Sequence, residues 1–431
     1  MEKRNKKHEK RMKKLIVGCA LCAIVLTVST YAWFIGMKTV NVSSFDVKIA
    51  AIDGLSLSLD GEKWSDTVSI SESNYKLEGT SYANNTNSWG GDGLIPMSSV
   101  GVINKDASRL TLYEKGSLTT THGGYRIMAS EVPNTDTSKG EYKGYVAFDL
   151  FVKNLSGNEY YKELSEKNEE AIYLATDSEV AISNNGGVLN TGIENSVRVA
   201  FAEIGRVKAT TTDVATITGI TCQPGENSPV TGICRNAQIW EPNDTKHVNN
   251  AISWYKTSCA ARTGEDLTLE ASYSKTFGTC NQIKNGVGYH TYAISGVIGY
   301  EDNVDVYDGE DYNGYKASTA TEATKGKLMA FPYFTDSMKN YEGVKRPTFI
   351  SLAPNSITKV RVYIYIEGQD VDNYDFASLG KKISVKFGFT KERYFDEDVD
   401  YNSTGTATLP DDVIKKNHYT PITTAGDEIA S

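Results

Sequence analysis

The chain has 431 residues, enough for two or three domains or for one large β domain with insertions. Its net charge is −9, and the residues after position 32 hold 37 basic and 52 acidic side chains. Because an acidic surface repels phosphate backbones, this balance excludes nucleic acid as a partner. The 26 Tyr and 37 Gly residues are typical of a chain rich in strands and turns.

The first part of the chain is basic and then apolar. Eight Lys and Arg residues lie within the first fourteen positions, and residues 15–37 carry no formal charge. This order is typical of an export signal, because the cations stay in the cytoplasm while the apolar segment enters the lipid. Thr30 and Ala32 are small, so we predict cleavage between Ala32 and Trp33; uncut, the segment is long enough to anchor the protein. We therefore expect a secreted or cell-surface protein that contacts the membrane only through this leader.

Alternation of apolar and polar residues predicts β-strands along the chain. The clearest segments are 45–49, 55–59, 144–154, 196–203, 357–367 and 383–390. In the fifth of these, Val360, Val362, Ile364 and Ile366 fall on one face and Arg361, Tyr363 and Tyr365 on the other. The pattern predicts an all-β fold, an antiparallel, jelly-roll-like β-sandwich with a few short helices.

The amino-acid composition of the sequence changes part-way through the predicted sandwich. Residues 205–345 contain the exported cysteines and a helix predicted over 246–255, and we interpret them as an inserted lobe. The predicted organisation is a leader at 1–32, the first part of the sandwich at 33–204, this lobe, the final strands at 346–395 and an acidic polar tail at 396–431.

Four cysteines lie beyond the leader, at Cys222, Cys234, Cys259 and Cys280. An even number in an oxidising compartment predicts two disulfides, with three connectivities open. The loop 223–233 contains Pro and Gly and can fold back on itself, which favours a bridge from Cys222 to Cys234 and a second from Cys259 to Cys280. No pair has the close spacing of a zinc knuckle.

Residues 30–61 resemble the start of the TasA/camelysin family of exported bacterial fibre proteins. The matching pieces are Tyr31-Ala32-Trp33-Phe34, the polar segment 40–44 and the first predicted strand at 45–51. The resemblance implies a Gram-positive exported structural protein that self-associates into fibres of a biofilm matrix.

For such a fibre we predict donation of the mature N-terminus to the open sheet edge of the next subunit. A contact of this kind does not close on itself and so produces a filament. The predicted assembly residues are Trp33, Phe34, Val40, Val42, Phe45, Val47 and Ile49.

The alternative is a monomeric cell-surface adhesion or carbohydrate-binding module, with cell-wall or matrix polysaccharide as its partner. Flat rings stack on sugar faces, and Trp64, Trp89, Trp240 and Trp254 could line such a groove. Cross-strand packing is the favoured interpretation of these aromatic residues.

Motifs that carry catalysis are missing from the sequence. It has no Gly-x-Ser-x-Gly, no His-Glu-x-x-His and no phosphate-binding Gly-rich loop ending in Gly-Lys. We therefore predict that the protein is not an enzyme and has no organic cofactor.

Calcium is the candidate ligand, because hard cations bind several carboxylate oxygens on a turning backbone. The candidate metal residues are Glu367, Asp370, Asp372 and Asp375, which follow the strongest predicted strand. Two further acidic loops lie at 302–313 and 396–402. Solvated acidic loops that cap strand ends are the competing interpretation of all three.

Overall fold

A computed structural model describes most of the predicted β core. The described residues are 42–51, 54–70, 94–121, 124–157, 159–165, 168–182, 191–263, 283–288, 291–297, 328–331, 333–341, 345–373 and 381–391.

Short strands dominate these residues. They are β1 (Val42–Ala51), β2 (Leu55–Ser58), β3 (Thr67–Ile70), β4 (Pro96–Ser98), β5 (Ile103–Asn104), β6 (Arg109–Leu110), β7 (Tyr113–Thr121), β8 (Gly124–Glu131), β9 (Val146–Asn154), β10 (Glu170–Leu174), β11 (Glu179–Ile182), β12 (Val197–Lys208), β13 (Thr231–Gly232), β14 (Gln238–Glu241), β15 (Tyr292–Ile294), β16 (Leu328–Ala330), β17 (Phe334–Thr335), β18 (Ile350–Leu352), β19 (Ser356–Glu367) and β20 (Lys381–Thr390). The helices are α1 (Val214–Thr218), α2 (Asn249–Thr263) and α3 (Asp336–Lys339), with a 3-10 turn at Ile193–Ser196.

Two large sheets face each other across a shared core. The smaller has the order β18-β10-β20-β1-β3, with β11 beside β20. The larger has the order β17-β14-β12-β19-β4-β7-β8, and β9 lies between β19 and β2. The predicted all-β sandwich is confirmed. Its sheets are mixed rather than purely antiparallel, because β1 pairs in parallel with β20, β14 with β17, and β4 with β19.

The core between the sheets follows the period-two pattern of the sequence. Val360 and Ile364 of β19 are fully buried there, together with Val385 of β20. Phe201 of β12 packs edge-on against Phe387 of the opposite sheet, with ring centroids 5.0 Å apart. Such edge-to-face pairs add stability beyond the apolar area that they bury.

The second face of the larger sheet is also buried. Tyr363 and Tyr365, predicted on the face opposite Val360, are fully buried in a second apolar cluster. Met97, Leu110 and other residues of the segment that carries β4 to β6 cover them. Charged residues in the middle of β12 and β19 therefore have no path to water and need partners within the protein.

The block 205–345 contributes directly to this fold. Its strands β13, β14 and β17 join the larger sheet. Trp240 and Phe334 are buried in the core between the sheets, and α2, which begins three residues later than the predicted helix, packs Ala251 and Tyr255 on the same core. The described part of the block thus shares the core of the sandwich, and a separate lobe at 205–345 stays a prediction.

Candidate functional site

The predicted assembly strand occupies a place within its own chain. Strand β1 pairs with β20 along its length and with β3 over Val47–Ala50. Val47 and Ile49 are 2% and 0% exposed in the core between the sheets, while Lys48 points to solvent. The strand is therefore not the free extended segment expected of a single chain, because its backbone pairs with β20 and the side chains of Val47 and Ile49 are already buried between the two sheets of the chain.

The other predicted assembly residues lie wholly or partly outside the described part of the structure. Trp33, Phe34 and Val40, and the predicted cleavage site after Ala32, lie outside the described residues. Val42 and Phe45 belong to β1, but their side chains lie outside the described part of the structure.

The predicted calcium residues lie in the turn after β19 and point into the protein. Glu367 accepts hydrogen bonds from Tyr333 Oη at 2.8 Å and Ser98 Oγ at 3.1 Å. Asp370 accepts one from Arg198 Nη2 at 2.6 Å. Both carboxylates are thus bound to protein donors, which a calcium ion would have to displace.

Calcium binding by this turn stays a prediction. Asp372 also has protein partners, and Asp375 lies outside the described residues, as do the acidic loops 302–313 and 396–402. Among the residues that the structure describes, no group of three or more His, Cys, Asp or Glu side chains is arranged to hold a metal ion.

Arg198 is the centre of this buried cluster. It lies in β12, is 0% exposed and forms ion pairs with Glu241 and Asp370. Its guanidinium carbon lies 4.7 Å above the ring centroid of Tyr333. Burial disfavours the charged guanidinium, but Glu241 and Asp370 outweigh this effect and raise the pKa of Arg198.

Carboxyl groups outnumber cations around Arg198. Burial raises the pKa of Glu241 to about 7, and it raises the pKa of Glu367 to about 7 as well, although Arg198 opposes both shifts. Removal from water makes the ionised carboxylate costly. The cluster therefore takes up protons near neutral pH.

A His-Asp pair extends the cluster toward the surface. His247 Nδ1 lies 2.7 Å from Asp372 Oδ2, and His247 Nε2 lies 3.2 Å from the carbonyl oxygen of Val287. Burial lowers the pKa of His247, but the bond to Asp372 outweighs it and raises the pKa overall. Burial also raises the pKa of Asp372 to about 6. The pair ties the residues before α2 to the turn after β19.

An open cleft of about 540 Å³ adjoins this pair. Most of its lining can donate or accept hydrogen bonds: Glu194, Asn195, Lys246, His247, Val248, Asn249, Asn250 and Asn285. Amide side chains offer both donors and acceptors, which suits a ligand with hydroxyl groups. None of the described residues that line the cleft is a Ser or Cys nucleophile.

The described Trp residues are distributed over different parts of the core. Trp240 is fully buried between the sheets and donates from Nε1 to Asp336 Oδ1 at 3.1 Å. Trp64 packs on the other face of the larger sheet, where the Lys153 ammonium lies 3.9 Å from its ring centroid. Trp254 is partly buried against the core between the sheets, and Trp89 lies outside the described residues. Trp240 and Trp64 do not form a common sugar-binding groove.

The disulfide between Cys222 and Cys234 is confirmed, with the two Cα atoms 5.4 Å apart. It closes the loop that carries β13, and the backbone N–H of Cys234 donates to the carbonyl of Glu203 at 2.9 Å. The bridge therefore holds this loop on the edge of β12. The side chain of Cys259 and all of Cys280 lie outside the described residues, so their pairing stays a prediction.

Sequence reasoning did not identify the cluster around Arg198. The available signal was a charged residue in the middle of an apolar strand, because such a residue must find a buried partner. Its partners Glu241 and Asp370 are 43 and 172 positions away, so no local spacing reveals them.

Comparison of the chain with models of protein families, with curated proteins and with solved structures finds no match. None of the helices in the described part of the chain has the length and apolar character needed to cross a membrane.

Proposed function

We propose that the protein is an exported structural subunit that assembles into fibres at the cell surface or in the extracellular matrix, with β1 exchanged between neighbouring copies. The position of β1 is the observation that supports this function. It is the first described strand, and it lies between β20 and β3 of the smaller sheet. The same strand of a second copy fits this place with the same partners.

Strand exchange conserves the contacts that β1 makes in a single chain. The backbone groups facing β20 and the side chains of Val47 and Ile49 find identical surroundings in a neighbour. The connection to β2 includes Gly54, which has a φ of 78° and no atom within 4 Å of an added Cβ. A chain that donates β1 forward and receives one behind makes a contact that does not close, and so builds a filament.

Paired cysteines on β1 and β20 test the exchange. Lys48 and Lys386 are direct partners across the two strands, and Lys48 is exposed. We expect K48C/K386C fibres, oxidised and then dissolved in denaturant, to give covalent oligomers on a non-reducing gel. The same variant oxidised as a dilute monomer is expected to bridge within one chain.

The matched control replaces Glu179 and Lys386, which face each other across β11 and β20. Neither strand exchanges in this proposal, so E179C/K386C fibres are expected to dissolve into single chains. Fibres of K48C/K386C whose bridges all lie within one chain would refute the exchange of β1. A protein that never forms fibres would refute assembly itself.

The cleft beside His247 supports a second function, a monomeric adhesion or carbohydrate-binding module. Its amide-rich lining suits the hydroxyl groups of a cell-wall or matrix polysaccharide. Particles that stay single under all conditions and bind such a glycan would favour this second function over fibre assembly.

A further inference from the structure

The end of β20 meets the end of β9 through three polar side chains. Lys391 follows β20, and its Nζ lies 2.7 Å from Oδ1 of Asn154 and 3.0 Å from Oε2 of Glu170. Asn154 ends β9 and is 0% exposed, whereas the side chains of Lys391 and Glu170 are 20% and 36% exposed. An amine, a carboxamide and a carboxylate therefore share one largely enclosed site.

Surrounding groups fix the orientation of the Asn154 amide. Its Nδ2 donates to the carbonyl oxygen of Ala353 at 3.1 Å and to Glu170 Oε2 at 2.9 Å. Its Oδ1 accepts from the backbone N–H of Ser156 at 3.2 Å. A carbonyl can only accept and a backbone N–H can only donate, so exchanging the two ends of the amide would break both bonds.

The amide is also placed for attack by the amine. A carbonyl bond is ~1.2 Å long, so Nζ of Lys391 is within about 4 Å of Cγ of Asn154, close to the separation of reacting atoms in a productive complex. The backbone N–H of Ser156 faces Oδ1 at 3.2 Å, where negative charge develops in such an attack, and supplies one donor of an oxyanion site. The Ser156 hydroxyl lies 2.8 Å from Oδ1, but its single proton also has Glu170 Oε2 as an acceptor at 2.5 Å.

Glu170 lies between the nucleophile and the leaving group. One of its oxygens, Oε2, contacts both Lys391 Nζ and Asn154 Nδ2. Burial raises the pKa of Glu170, but hydrogen bonds from Ser156, Asn154 and Lys391 outweigh it and lower the pKa. Glu170 is therefore ionised before the reaction, and its Oε2 lies within reach of both the nitrogen that loses a proton and the nitrogen that receives it.

We propose that Lys391 and Asn154 join in an intramolecular isopeptide bond, with Glu170 as the catalytic acid and base. Glu170 takes a proton from the Lys391 ammonium, and the amine lone pair forms the Nζ–Cγ bond. Glu170 returns this proton to Nδ2, carries the second proton from Nζ to the same nitrogen, and the Cγ–Nδ2 bond breaks. Both protons lost by Nζ leave with the nitrogen of Asn154 as ammonium, Glu170 ends ionised as it began, and nothing is oxidised or reduced.

The bond would connect the two sheets of the sandwich. β9 belongs to the larger sheet and β20 to the smaller one, so the last described strand would be held covalently at its C-terminal end. A force applied through the residues after 391 would then pass into β9 and would not peel β20 from its neighbours. This inference does not depend on fibre assembly, and its outcome leaves the exchange of β1 undecided.

Peptide mapping of the full-length protein, purified in its folded state, tests the bond. Trypsin does not cut after an acylated Lys, so the bond predicts a branched peptide in which residues 154–162 are joined to residues 387–393. Its mass is expected to be one ammonia below the sum of the two linear peptides. Recovery of Lys391 only at the end of a linear tryptic peptide would overturn the proposal and leave an ion pair with Glu170.

Two variants separate the mechanism from a general effect on folding. E170Q keeps the size of the side chain but cannot accept the proton, so we expect loss of the branched peptide in a protein that still folds and forms the Cys222–Cys234 bridge. K386R alters another Lys of β20, which pairs with Asp177 at 2.8 Å, and is expected to keep the branched peptide in full. A branched peptide at wild-type yield in E170Q would remove Glu170 from the mechanism. Failure of E170Q to fold would leave the wild-type peptide map as the deciding measurement.

Discussion

Burial changes the protonation of single residues in the cluster around Arg198. Arg198 is enclosed with Glu241, Glu367 and Asp370, so one permanent cation faces three acids. An isolated buried charge is very costly, and the group changes its protonation state instead. The cluster is stable near neutral pH only where some of these acids are protonated.

Replacement of Glu367 by Gln tests this at one position. The raised pKa of about 7 means that the folded protein binds more protons at Glu367 than the unfolded chain between pH 4.5 and 7. Stability from this group is therefore complete below pH 4.5 and is lost as the pH rises toward 7. We expect E367Q to be more stable than the wild type at pH 8, by up to roughly 3 kcal/mol in urea unfolding, and similar to it at pH 4.5.

Glu179 provides the control, because it lies exposed on β11. E179Q is expected to change the free energy of unfolding by no more than about 0.5 kcal/mol at either pH. If E367Q were less stable than the wild type at pH 8, the Glu367 carboxylate would be ionised and favourably bound in the folded protein.

The sequence predicts individual residues where the pattern is local. The loop between Cys222 and Cys234 is short and rich in Pro and Gly, and the predicted bridge is present. The inward face of β19 was predicted from its alternation. The partners of Arg198 were not predicted, because the fold brings them together from remote parts of the chain. A period-two pattern also does not indicate that the second face of the sheet is buried.

At the scale of elements, alternation shows which face of β1 is buried but not which strands flank it. Val47 and Ile49 are predicted to be assembly residues, and in the single chain their side chains are buried in the core between its two sheets. Which strand pairs with β1 depends on the rest of the sheet, and here the partner is β20, from the far end of the sequence. The same property lets an identical strand from another copy take this place.

Shortening Ile49 tests whether β1 is seated as described. Ile49 is 0% exposed, so I49A leaves a cavity between the sheets. We expect a loss of about 2–5 kcal/mol in the free energy of unfolding of the monomer, measured by urea denaturation.

Lys48, the next residue on the same strand, gives the matched control because its side chain is exposed. K48A is expected to stay within about 0.5 kcal/mol of the wild type. Equal, small effects of I49A and K48A would mean that β1 is not packed in the monomer, and would favour a free donor segment.

At the scale of the whole molecule, the larger sheet is buried on both faces and so carries its charges inside. Buried ion pairs connect its strands, as between Arg361 of β19 and Asp149 of β9 at 2.7 Å and between Arg198 of β12 and Glu241 of β14. Breaking such a pair leaves an uncompensated charge, whereas the intact pair contributes little net stability. These pairs therefore specify which strands lie side by side more than they strengthen the fold.

The same charges predict how the stability of the molecule depends on pH. Burial raises the pKa of Glu203, Glu241 and Glu367 to about 7 each. The stability that each of these groups contributes to the folded protein is therefore lost as the pH rises from 4.5 toward 7, by at most roughly 3 kcal/mol for each group. For Asp149, burial favours a higher pKa, but Arg361 and Lys359 outweigh it and lower the pKa, so this group contributes stability above pH 3.8 that is lost on acidification.

The two trends place the maximum of stability near pH 4, between the acid loss from Asp149 and the decline that begins at about pH 4.5, and the decline reaches several kcal/mol by pH 8. Urea unfolding of the monomer between pH 2 and pH 8 measures this profile. The triple variant E203Q/E241Q/E367Q removes the three raised groups and is expected to flatten the decline above pH 5, while the loss below pH 4 remains. A wild-type protein whose stability rises steadily from pH 5 to pH 8 would show that the buried carboxyls are ionised and paired, and that Arg198 does not face an excess of acid.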